Sequence, residues 1–319
     1  MLRDILSGKD AQVLATIDVI RNADADILVL AGFDHDANLV TLNAYADQLG
    51  GYPTRFARRP NRGLATGADV DGDGKMGRPA DAHGYAHFSG QGGLAVLSRY
   101  PIEDHATQNF SDLLWRDLPG HNMPQGVFPG LRLSTTGHWR VPVQLPGDQN
   151  LDLLIWHATP PVFDGPEDRN GWRNHDEAAF WLRYLAGDLD AVPGDFSVVA
   201  GFANLDPKDG DGRPAALNEL LTHPQLIDPQ PKSQGAVQAT ATDGGANAGH
   251  SGDPALDTVD WPDGANRPGN LRVSYVLPST AFDVIASGVL WPMADSSLGR
   301  DVVQASRHRL VWVDLVLKN

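Results

Sequence analysis

Carboxylates at alternate positions in Asp69-Val-Asp-Gly-Asp-Gly-Lys75 are the part of this sequence most plainly arranged to do chemistry. Asp-x-Asp-x-Asp-Gly spacing turns several oxygen ligands toward one point, and a glycine at the sixth position, here Gly74, permits the sharp turn of a calcium loop. Position twelve is Ala80 in place of a bidentate glutamate, but Asp81 follows it and can close the shell. The expectation is a structural Ca²⁺ held by Asp69, Asp71, Asp73 and Asp81, weighed against an acidic, glycine-rich surface turn that binds nothing. Asp206, Asp209 and Asp211 lack that regularity, because Pro207 and Lys208 interrupt them, and read as a turn. Asp34, His35 and Asp36 form a second cluster, either ligand-binding or a loop that caps the next helix.

Several other chemistries are excluded. There is no cysteine, which removes disulfides, thiolate zinc sites and thiol nucleophiles. Gly-x-Ser-x-Gly, a Walker loop and His-Glu-x-x-His are absent, and Gly90-Gln-Gly-Gly93 precedes a strand where a phosphate cradle would precede a helix. A formal net charge of −15 repels polyanions, and Arg55, Arg58, Arg59 and Arg62 read as a solvated loop, so nucleic acid is not an expected partner. No apolar run is long enough to span a bilayer.

The elements that position these residues alternate helix and strand. Helices are expected near residues 10–22 and 36–49, around a strand at Ile27–Leu30. Asn174 followed by Glu177 reads as a capping box opening a helix through Ala178, Phe180, Trp181 and Tyr184; His175 would help cap it or hold a neighbouring loop. Pro214 suits the first turn of another helix that buries Leu217, Leu220 and Leu221. Val198–Ala200, Leu271–Leu277 and Leu310–Leu317 read as strands. With 319 residues, 41% of them hydrophobic, and no linker or repeat, residues 1–319 are expected to form one domain.

Ordered segments along nearly the whole chain carry a resemblance. They include Ala25-Asp-Ile-Leu-Val-Leu-Ala-Gly-Phe-Asp-His-Asp36, Gly93-Leu-Ala-Val-Leu-Ser-Arg-Tyr-Pro-Ile102, the stretch from His157 to Glu177, Val198-Val-Ala-Gly-Phe-Ala-Asn-Leu-Asp-Pro207, Asn270-Leu-Arg-Val-Ser-Tyr-Val-Leu-Pro-Ser279 and Ser306-Arg-His-Arg-Leu-Val-Trp-Val-Asp-Leu315. Together they resemble the endonuclease/exonuclease/phosphatase (DNase I-like) family, in a bacterial branch. The resemblance implies an α/β (α+β) fold, a four-layer αββα sandwich of the DNase I-like type, with one metal-assisted phosphoester-cleaving site where the loops of the two sheets converge. It places His157, Asn204 and His308 at that site. It also places metal-site acids at four positions that here hold Gly32, Phe202, Ser274 and Arg307.

Neither phenylalanine nor arginine can supply the charged oxygen that a divalent cation needs, so no catalytic metal is expected. His157, Asn204 and His308 would then be vestigial or repurposed, with Arg307 a fixed cation able to bind phosphate or carboxylate and Phe202 an apolar wall. The leading expectation is a degenerate family member retained as a binding or structural component. The alternatives are a hydrolase, lyase or cyclase of altered reaction using His157, His308 and Arg307, and a residual phosphoesterase rescued by Asp34, Asp36 and Asp206. The family also opens with a short apolar strand carrying an asparagine directed into the site, whereas this chain opens at Met1-Leu-Arg-Asp-Ile-Leu. A sheet lacking that strand is expected, with a protein partner covering the exposed edge. Many members are exported, although no signal peptide is read here.

Overall fold

Two strands with most side chains buried lie at the centre of the molecule: β6 (Gln149–His157) and β7 (Ser197–Phe202). They pair in parallel, which suits strands covered on both faces, and the ladders between the other named strands are antiparallel. The computed structural model describes residues 1–147, 149–264 and 266–318. The first sheet runs β10 (Ser274–Pro278), β7, β6, β5 (His138–Leu145), β4 (Gln108–Asn109). Facing it are the ladder β1 (Ile27–Phe33), β3 (Gly93–Ser98), β2 (Thr54–Phe56) and the hairpin of β11 (Phe282–Leu290) with β12 (Leu310–Leu317). A short pair, β8 (Val259–Asp260) and β9 (Asn270–Leu271), stands apart.

Helices cover both outer faces. On the first sheet lie α4 (Arg169–Ala186) and α5 (Ala215–Leu221), whose Phe180, Trp181, Tyr184, Leu217 and Leu220 pack against Leu154, Trp156 and Val199. Burying each aromatic of this size stabilises the fold by roughly 1.5–3 kcal/mol. On the second sheet lie α1 (Leu2–Ser7), α2 (Ala11–Ala23) and α3 (Val40–Leu49), against Leu28, Ala95 and Leu97. Helix α6 (Gln234–Asp243) packs Ala236 beside Val289 and Trp291, and α7 (Ser297–Ala305) packs Val302 and Ala305 on Ala15 and Val19 of α2. Between the sheets, Val96, Trp139, Val141, Ile155, Val198 and Phe282 form the inner core. The result is the αββα sandwich expected from the resemblance.

Among the described residues β1 pairs only with β3, and β12 only with β11. A cleft of about 1110 Å³ lies between the two free edges. Trp156 and Trp181 are fully buried, whereas Trp312 is only half-buried and lines that cleft.

Three local expectations need correction. Asn174 and Glu177 lie inside α4, which begins at Arg169, and Asn174 donates to the carbonyls of Thr159 and Ala203 at 2.6 and 2.7 Å. Buried polar residues three apart mark a helix face turned toward loops as readily as a helix start. The run Leu271–Leu277 is two strands, because Arg272 leaves the ladder to pair with Asp228 at 2.5 Å. Helix α3 starts at Val40 and not at residue 36: the Asp36 carboxylate accepts from the amides of Asn38, Val40 and Thr41 ahead of it. Helix α2 begins at Ala11, close to the expected residue 10, and Asp10 caps it, accepting from Val13 N at 3.0 Å.

The β6–β7 pair closes around Gly201, at φ 153°, where a Cβ would sit 2.0 Å from the Trp156 carbonyl oxygen. Gly201→Ala is therefore expected to destabilise the protein by roughly 3 kcal/mol or more in urea unfolding. A loss below about 1 kcal/mol would mean that the two strands separate easily.

Candidate functional site

Strand register decides which side chains meet at the carboxyl ends of β6 and β7. Phe202 stands opposite His157 across one ladder and opposite Ser274 across the other. His308 joins them from the segment just before β12, through a bridge with Val259. The Phe202 ring lies between two imidazoles, with centroids 5.3 Å from His157 and 5.0 Å from His308, and Trp261 packs edge-on against His308 at 5.7 Å. Gly32, on the free edge of β1, completes the group that lines the cleft at this end. It has φ 76°, and a Cβ there would meet nothing within 4 Å.

Three polar atoms in this group are shut off from solvent without a partner in the protein: His157 Nδ1, His308 Nδ1 and Ser274 Oγ. Burial moves both imidazoles away from their charged form. His157 is lowered to about 3, first by desolvation and then by the nearby charges of Arg62 and His308; His308 is lowered to about 4, by desolvation and then by Arg309.

The remaining expected site residues are dispersed. Asn204 is buried in the left-handed region at φ 51° and donates from Nδ2 to the Ala158 carbonyl at 2.6 Å, a bond that ties the loops after β6 and β7 together. Arg307 is exposed and outside the cleft lining; its carbonyl accepts from Asp260 N. Asp34 lines the cleft but its carboxylate accepts from Gly92 N at 3.0 Å, and His35 faces the start of α3. Asp206 is occupied by the amides of Lys208, Asp209 and Arg272.

Sequence reasoning missed two residues here. Arg62 turns inward beside His157, whereas Arg55, Arg58 and Arg59 bond Asp47, Asp104 and Ser89 at the surface. Trp261 offered no signal beyond its aromaticity. In the aspartate loop, one carboxylate oxygen from each of Asp69, Asp71 and Asp81 lies within 4.8 Å of the others, while Asp73 pairs with Arg78 at 2.8 Å.

Residues 5–308 match the model of the Endonuclease/Exonuclease/phosphatase family, and the chain belongs to that family. Its fold resembles an endonuclease/exonuclease/phosphatase from Beutenbergia cavernae DSM 12333, at 21% identity and a TM-score of 0.57. That match covers 97% of this chain and 66% of the other, so this chain spans slightly less than two thirds of that protein's length. The human Nocturnin catalytic domain with bound sulfate anion is similar at 13% identity and a TM-score of 0.52, over 97% and 87% of the two chains. A family protein from Bacteroides thetaiotaomicron gives 12% identity and a TM-score of 0.52, over 97% and 89%. Identities this low concern the fold alone. No curated protein matches the sequence.

The pair of histidines makes a pH prediction. An unfolded chain takes up their protons near 6.5, whereas the folded protein refuses them until about 4 at His308 and about 3 at His157. Their neutral burial thus favours folding fully above pH 6.5 and progressively less as pH falls toward those values. In NMR titration the two rings should stay neutral from pH 8 to about pH 5. An inflection near 6.5 at either ring would show it to be solvated.

Proposed function

We propose that this chain retains the family's fold without metal-dependent phosphoesterase activity and serves as a binding or structural component. The observation that carries this reading is the Phe202 ring packed between His157 and His308. A divalent cation does not fit the donors present. Gly32 contributes no side chain, Ser274 a neutral hydroxyl, and Arg307 a cation directed elsewhere. Among the described residues no group of three carboxylates or imidazoles converges at this end of the sandwich. The acids that would rescue a metal site are already engaged, Asp36 in capping α3 and Asp206 in holding Arg272 N.

An altered reaction at the same place has one observation in its favour, the large apolar-walled cleft that both histidines line. It lacks the anion clamp assigned to Arg307, and its two bases have phenylalanine between them. Purified protein with Mg²⁺ or Mn²⁺ should therefore give no turnover above blank with nucleotides, sugar phosphates or bis-p-nitrophenyl phosphate. Metal-dependent turnover that His157→Ala or His308→Ala abolishes would refute the reading.

Calcium binding at the aspartate loop is a separate proposal, resting on the convergence of Asp69, Asp71 and Asp81. Asp73, assigned as a ligand from its spacing, is engaged by Arg78 and would have to exchange that partner for the ion. Millimolar Ca²⁺ should raise the melting temperature by a few degrees relative to EGTA, and Asp69→Asn should remove the increase. An unchanged melting curve would leave the loop as a plain surface turn.

A further inference from the structure

We draw no further inference here: the strongest candidate, the Arg62 guanidinium turned inward beside His157 and Asp34 with its buried Nε unpartnered among the described residues, belongs to the site already described, where holding an oxyanion would restate the phosphoester chemistry of the family.

Discussion

The site end of this sandwich depends on the parallel closure of β6 on β7, possible because residue 201 carries no side chain where the Trp156 carbonyl approaches. From that single contact follows the row His157, Phe202, Ser274, since the register admits no other neighbours. In a metal enzyme such a row would concentrate negative charge that only a cation could relieve. Here it concentrates apolar surface and neutral imidazole, which needs no ion to be stable. The same backbone geometry can thus carry two incompatible electrostatic designs, and side-chain chemistry at a handful of positions decides between them.

Behind the row, α4 supplies a polar framework in place of a purely apolar face. Glu177 is fully buried and raised to about 7 by desolvation, yet its oxygens accept from the amides of Thr135 and Thr159, each at 2.6 Å. Arg173 donates to the carbonyls of Leu133, His83 and Arg132, and Asp176 accepts from Trp115 Nε1 at 2.6 Å. His138 rests against Ser134 and the Glu177 carbonyl. These bonds satisfy irregular backbone that could not otherwise be buried, and they fix the loops leading to the site.

The fold was legible in the sequence wherever burial and periodicity agree. The helix near residues 10–22, the β12 run and the Pro214 helix all follow from local rules. Legibility failed where a tertiary partner overrides the local signal. Asn174 and Glu177 imitate a helix cap because they cap loops from within the helix. Arg272 sits in a β-branched run yet turns aside to Asp228. Arg62 belongs to a basic cluster by sequence and to the interior by structure. At the site, residue types identified what is missing, but only coordinates place Phe202 between the histidines and turn Arg307 away. Spacing along a chain does not encode which way a side chain faces after a bend.

Packing between α2 and α7 carries a further consequence. Ala15 and Val19 meet Val302 and Ala305, and Gln12 donates to the Ala305 carbonyl at 3.0 Å. Alanines on both helices let them approach closely, and Val19 and Val302 of this pair line the cleft beneath. Pulling the two helices apart would expose Ala15, Val19, Val302 and Ala305 together, so the outer layer resists any widening of the cleft.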